Sequence, residues 1–191
     1  MWFLPSPRLD PLVSRRARSY SRVTVAETDA LSAFPHTLHA STTHPTRLYR
    51  RQPELIAFHD RIEPPAGWPV VLTLDDPPIV ICRGDARALP RTLLDATLTP
   101  VYALTPRGAP AVPTGLVLIR FREGIDAAAC GDVVAREGFT IHDVLPYAPS
   151  AAWVRAASGG IPASLRGIPA LESLPDVVNV EPQMVRRSAR R

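Results

Sequence analysis

The alternation of apolar and polar residues is clearest between residues 115 and 125. Within Leu116–Arg122, the apolar side chains of Val117, Ile119 and Phe121 occupy every second position. Alternate residues of a β-strand point to the same face, so this pattern predicts a strand with one buried face. The following Glu-Gly pair at Gly124 ends the predicted strand.

A helix is predicted directly after this strand. Asp126 is a good N-cap residue, because its side-chain oxygen can accept a hydrogen bond from the first helical turn. Ala129 and Val133 lie four residues apart and begin an apolar stripe along one helix face. Gly138 stands where a left-handed residue commonly ends a helix. The pattern therefore predicts a helix that runs to Glu137.

The remaining C-terminal pattern predicts three more strands and one more helix. The strands are Phe139–Leu145, Ala151–Ala157 and Val177–Val180, and the helix is Ala163–Ser173. Pro169 should shorten or kink that helix, since an interior proline removes a backbone hydrogen bond. The order strand, helix, strand, strand, helix, strand is typical of a ferredoxin-like unit. We therefore predict an α+β fold with a ferredoxin-like unit at the C-terminal end.

The first part of the chain is richer in prolines and turns. The 22 prolines of the sequence break long helices and central strands. Between them the pattern predicts a smaller, β-rich subdomain with short strands. The predicted strands are Glu54–His59, Val70–Leu74, Ile79–Cys82 and Thr99–Leu104. We divide the chain into a weakly ordered leader (1–45), the β-rich subdomain (46–112), the C-terminal domain (113–184) and an arginine-rich tail (185–191).

Composition and charge exclude several classes of protein. All 22 basic residues are arginine and the net charge is +4, which permits nucleic-acid binding but does not argue for it. Cys82 and Cys130 have no CxxC partner, which excludes a disulfide scaffold or a cysteine-rich zinc site; we expect two buried thiols. No apolar run approaches the ~18 residues of a membrane span, and the start lacks a secretory signal. The default expectation is a cytoplasmic protein that does not bind a membrane.

Two His-Asp pairs are the strongest candidates for catalysis. Neighbouring side chains on a strand point to opposite faces, so His59 cannot be oriented by Asp60, nor His142 by Asp143. The three histidines between residues 36 and 44 are too loosely spaced to predict a metal site. We therefore predict no catalytic residue, no metal and no cofactor, and a protein that is not an enzyme.

Two segments carry a resemblance to a known family. They are GLVLIRFREG at residues 115–124 and LESLPDVVNVEP at residues 171–182. Together with the glycine stop at Gly138, they resemble the inhibitor-type propeptide domain of subtilisin-like serine proteases. The second segment is similar to the motif with which that domain commonly ends: two leucines, a proline, x-Val, and then x-x-Val-Glu-Pro. The likeness covers about a third of the chain, and residues 46–114 are more loosely similar to a degenerate second copy of this domain.

The resemblance implies a function without catalysis, because no aspartate, histidine or serine motif of a subtilase occurs in the sequence. In that family the propeptide sheet packs on two surface helices of the protease, and its C-terminal extension lies substrate-like in the active-site cleft. This chain is then expected to bind a subtilisin-type protease as an inhibitor or folding chaperone. The expected contacts are acidic residues that meet helix N-termini and the start of the extension: Glu172, Asp176, Glu181, Gln183, Met184, Val185, Arg186 and Arg187.

Three alternatives remain at this stage. The chain is also consistent with the truncated leader of a subtilase. A second alternative is a ferredoxin-like module that binds a ligand or nucleic acid, which requires a cluster of surface arginines on one face. The arginines in question are Arg120, Arg122, Arg155 and Arg166. An enzyme of unrecognised type ranks last, because no convergent set of titratable groups is visible.

Overall fold

The first of two sheets is built from the N-terminal part of the chain. A computed structural model of the protein describes residues 31–60, 62–89, 93 and 97–187. β1 and β4 pair with opposite ends of the long strand β2, β5 runs along β2, and β3 lies outside β4. All these pairings are antiparallel. The strands are β1 (Thr37–His39), β2 (Leu48–His59), β3 (Val70–Asp75), β4 (Pro78–Arg83) and β5 (Leu98–Ala103).

The second sheet is formed by the C-terminal part and is also antiparallel. Its strands lie in the order β7, β8, β6, β9, so that β6 and β8 are central. They are β6 (Val112–Phe121), β7 (Phe139–Val144), β8 (Ala151–Ala156) and β9 (Val177–Val185). Three short α-helices accompany this sheet: α1 (Gly131–Arg136), α2 (Ile161–Arg166) and α3 (Ile168–Glu172).

The predicted fold class, α+β with a ferredoxin-like C-terminal unit, is wrong. In the part of the chain that the structure describes, two antiparallel sheets dominate, and the three α-helices are only five or six residues long. Asp126 caps a short 3-10 turn, Ala127–Cys130, before α1 begins, so the predicted first helix is only half α-helical. The predicted second helix is divided at Gly167 into α2 and α3. The protein is therefore mostly β.

The bounds of individual strands were predicted more accurately than the fold class was. β3, β4, β5, β7 and β8 lie within one residue or so of their predicted bounds. Gly138 has a φ of 78°, which confirms the predicted left-handed residue after α1. The differences are at strand ends: β2 begins at Leu48, β6 begins at Val112, and β9 continues to Val185. The boundary drawn between residues 112 and 113 thus falls inside β6. Most of the 1–45 leader lies outside the described residues.

Two hydrophobic cores hold the sheets together. The larger core contains side chains of both sheets, such as Phe58 and Tyr102 from the first and Ile119 from the second. The smaller core lies on the other side of the first sheet, and Val112 of β6 is buried in it, with Val185 of β9 packed against it. β6 and β9 therefore extend from the second sheet into the core of the first.

Gly167, the residue between α2 and α3, lies very close to the first residue of β7. A methyl group on Gly167 would lie 2.5 Å from ring atoms of Phe139, the first residue of β7. Phe139 is fully buried in the larger core, so its ring has little room to move. Gly167 therefore allows the helical segment to pack directly on the second sheet.

We expect Gly167→Ala to destabilise the protein by about 1–3 kcal/mol, because the added methyl group overpacks the core. Gly131→Ala is the matched control: it has helical φ and ψ and nothing within 4 Å of the added carbon. That variant should be neutral or slightly stabilising. Equilibrium urea unfolding of both variants measures the difference, and equal unfolding midpoints would contradict the packing described for Gly167.

Candidate protein-binding face

The second sheet carries a pair of large apolar side chains on the face that points away from the larger core. Val117 and Ile119 of β6 are buried in that core, so the alternate residues Leu116 and Leu118 point to the opposite face. Leu118 stands directly opposite Trp153 of β8 in the antiparallel register. None of these three side chains belongs to either hydrophobic core, and each is only half-buried. We call this surface the outer face and define it by Leu116, Leu118, Arg120, Trp153 and Arg155.

Charged residues surround the apolar pair on all sides. Glu181 of β9 lies opposite Leu118, and Asp143 of β7 lies opposite Trp153, which places one carboxylate on each lateral strand. Exposed Arg120 and Arg155 lie further along the two central strands. The outer face therefore has an apolar centre with a rim of mixed charge, as protein-binding surfaces commonly have.

The four arginines of the nucleic-acid alternative do not lie together. Arg120 lies opposite Ala151 of β8, and Arg155 is four positions further along that strand. At ~3.3 Å per residue, Arg120 and Arg155 are therefore about 13 Å apart along the sheet. Arg122 forms an ion pair of 3.2 Å with Asp176. Arg166 ends α2 and is on a different element. Arg120 and Arg155 therefore share the outer face without being adjacent, and the four arginines do not form the cluster that this alternative requires.

The three acidic residues expected to contact a protease each have a partner within the chain. Glu172 of α3 accepts a hydrogen bond of 3.0 Å from the Thr42 hydroxyl. Asp176, in the turn before β9, pairs with Arg122, and Glu181 accepts a hydrogen bond of 2.7 Å from the Asn179 side chain. These carboxylates therefore hold the second sheet and its neighbours in place in the free protein.

The C-terminal extension, which the resemblance starts at Gln183, is shorter than expected. Gln183, Met184 and Val185 lie inside β9, where Met184 and Val185 pair with the first residues of β6. The Gln183 side chain accepts a hydrogen bond of 2.6 Å from the Thr114 hydroxyl. Arg186 and Arg187 are exposed and are the first residues beyond the strand. Residues 188–191 lie outside the described part of the chain.

A short segment of the N-terminal part covers the edge of β9. The Thr42 backbone N–H donates to the Val180 carbonyl at 3.1 Å, and the Val180 N–H donates to the Thr42 hydroxyl at 3.1 Å. The Ser41 hydroxyl donates to the buried Asn179 side chain at 2.7 Å. These residues fall in the predicted weakly ordered leader (1–45); the run of Ser and Thr was the available signal, since these side chains readily bond to backbone. Nothing in the sequence indicated that β9 is their partner.

In the His59-Asp60 candidate, His59 is the last residue of β2 and Asp60 lies in the turn that follows. The His59 ring is buried, and its Nε2 lies 2.9 Å from the Thr99 hydroxyl oxygen. Burial lowers the pKa of His59, and the nearby charge of Asp60 opposes this effect only in part. His59 is therefore a neutral core residue with its own hydrogen-bond partner.

The two thiols differ from each other in burial. Cys82 is fully buried, as expected, whereas Cys130 is only partly buried, so the prediction of two buried thiols holds for one of them. Burial raises the pKa of both thiols, and Asp126 and Asp176 raise that of Cys130 further. Neither thiol has the electropositive surroundings that activate a reactive cysteine.

Metal-binding clusters and unpaired buried polar side chains are absent from the described ranges. There, no group of three or more His, Cys, Asp or Glu side chains is placed to hold a metal ion, and every buried polar side-chain atom has a hydrogen-bond partner. None of the helices in those ranges is long and apolar enough to cross a membrane. Comparison with protein-family models, with curated proteins and with solved structures finds no match for this chain.

The buried His59 should make the stability of the protein depend on pH. Its pKa is lowered in the folded state, so the stabilisation is fully present above the unfolded pKa of about 6.5 and is lost as the pH falls below it. The loss from this one group is at most about 1.4 kcal/mol per pH unit. We expect urea unfolding midpoints to fall between pH 7.5 and 5.5, and to fall less in His59→Gln. An identical fall in both proteins would contradict this assignment.

Proposed function

We propose that this chain is a non-catalytic protein that binds a subtilisin-type serine protease through the outer face, as an inhibitor or a folding chaperone. The observation that carries the proposal is the Leu118–Trp153 pair, which lies at the centre of a sheet face and belongs to neither core. A contiguous apolar patch rimmed by polar residues is typical of surfaces that contact another protein. Trp is also among the residues that contribute most to binding energy at interfaces.

The character of this face favours a protein over a nucleic acid as the partner. Its centre is apolar, and its rim has two carboxylates, Asp143 and Glu181, beside the two arginines Arg120 and Arg155. Carboxylates would repel the phosphate backbone, which supplies most of the affinity of nucleic-acid binding. A protein surface with an apolar ridge and charges of both signs fits this arrangement better.

The class of the partner rests on the two sequence segments that resemble subtilase propeptides. Both contribute neighbouring strands to the second sheet: GLVLIRFREG covers most of β6, and LESLPDVVNVEP ends in β9, which flanks β6. After β9 the chain continues into the arginine-rich segment 186–191. An extended peptide of this kind can pair its backbone with a cleft edge and insert alternate side chains into pockets.

In this proposal the substrate-like contact begins at Arg186. Met184 and Val185 are paired with β6, and the Gln183 side chain is bonded to Thr114, so their entry into a cleft would require the last part of β9 to separate. Val185 also packs against the smaller core, which opposes that separation. The folded body and the segment 186–191 therefore make separate contributions to binding, and linking them raises the affinity of the whole chain.

The proposal is tested by adding the purified chain to a panel of subtilisins and measuring peptide hydrolysis and refolding yield. We expect inhibition of at least one protease, and a loss of affinity of about 30-fold or more in Trp153→Ala, the size of a binding hot spot. Val71→Ala is the matched control, because Val71 is also exposed but lies on β3 of the first sheet. No inhibition, no complex and no effect on refolding would refute the proposal.

Deleting residues 186–191 separates the two contributions. The shortened chain should keep its unfolding midpoint, because the deletion begins after β9. It should still bind the protease but no longer block peptide hydrolysis. If the shortened chain inhibits as well as the full chain, segment 186–191 does not enter the cleft.

A further inference from the structure

A cleft of about 680 Å³ opens at the end of the outer face that carries Arg155. It lies between the start of β6, the end of β8 and the first residues of α2, and β7 contributes two side chains to one wall. Cavities that hold small organic molecules commonly measure ~300–1,000 Å³. The cleft is therefore of the size that accepts a small organic ligand rather than a single ion.

Close packing and one buried hydrogen bond fix the walls of this cleft. The buried Ser164 hydroxyl of α2 accepts a hydrogen bond of 3.0 Å from the Ala156 N–H of β8. Gly115 of β6 has a φ of 88°, and a methyl group there would lie 3.1 Å from the Ile161 side chain of α2. α2 is thus held against both central strands, so the cleft is formed before a ligand enters it and its walls lose little entropy on binding.

Three polar side chains of the cleft have no partner among the described residues. Arg155 of β8 stands directly opposite Thr140 of β7, and His142 follows two residues further along β7. None of the three side chains forms a hydrogen bond or ion pair with a residue that the structure describes. No acidic residue is among the described residues that line the cleft. A guanidinium, a hydroxyl and an imidazole therefore have donors available for an anionic ligand.

We infer that this cleft binds a small organic carboxylate with a short apolar chain, a binding activity separate from the function proposed above. The planar guanidinium of Arg155 matches a carboxylate with two parallel hydrogen bonds, and Thr140 and His142 donate to its oxygens from β7. Leu116 and Ile161 supply apolar surface for the chain. One permanent cation balances the single charge of a carboxylate, whereas a phosphate ester carries about 1.5–2 charges at pH 7.

The inference is tested by titrating the isotope-labelled full chain with sodium hexanoate and following its backbone amide resonances by NMR. We expect saturable shifts that centre on the cleft, at Thr140, Gly159 and Gly160. Hexanol has the same chain without the charge and should bind at least about tenfold more weakly, because charge-assisted hydrogen bonds are lost. Hexyl phosphate should bind no more tightly than hexanoate.

Two variants and one control assign the binding to these side chains. Arg155→Gln should weaken hexanoate binding about tenfold or more, and Thr140→Val about threefold. Arg166→Gln is the matched control, because Arg166 is an exposed arginine that ends α2 and does not line the cleft. It should bind hexanoate as wild type does. Unfolding midpoints are measured for all three variants, and Thr140→Val decides the case if Arg155→Gln fails to fold.

The inference is overturned if hexanoate causes no saturable shift, or if hexanol binds as tightly as hexanoate. Tighter binding of hexyl phosphate would overturn the assignment of a carboxylate. Equal losses in Arg155→Gln and Arg166→Gln would show a general effect of charge and would also overturn it. None of these results depends on a protease, so this inference and the proposed function can fail separately.

Discussion

The antiparallel pairing of β6 with β9 is the interaction on which the rest of the structure depends. Its middle part forms half of the second sheet and places Ile119 and Val180 in the larger core. The end of the ladder, at the start of β6 and the end of β9, brings Val112 and Val185 together at the smaller core of the first sheet. One ladder of hydrogen bonds therefore fixes both sheets relative to each other. This is the physical reason why neither sheet forms a core of its own that is separate from the other.

The same pairing determines what the protein can present to a partner. Because β6 is central, its inward side chains are committed to the larger core, and its outward side chains form the middle of the outer face. Burial of one face leaves Leu118 and Trp153 beside each other on the opposite face, with charged neighbours on both lateral strands. The ladder also holds the chain as far as Val185, so the first residue beyond the paired strand is Arg186. The binding face and the point where the chain leaves it are two consequences of one strand pairing.

The sequence was sufficient for most individual strands but not for the fold class or the site. Apolar segments between turn residues located β3, β4 and β7, and the capping roles of Asp126 and Gly138 were recognisable from local chemistry. The class was wrong because glycines and prolines limit the helices to five or six residues, an effect that element order does not reveal. Three positions expected at the start of the C-terminal extension, Gln183, Met184 and Val185, belong to β9, and their partners on β6 lie about 70 residues away in sequence. Long-range pairing of this kind leaves no local signal.

The central claim, that the outer face contacts the protease, is tested most directly by side-chain oxidation footprinting. The chain is oxidised by hydroxyl radicals, with and without an active-site-blocked subtilisin, and the oxidation of individual tryptophans is measured by mass spectrometry. Trp153 should be protected in the complex, whereas Trp68, which packs edge-on against Phe58 in the first sheet, should react equally in both samples. Equal oxidation of Trp153 with and without bound protease would contradict the account.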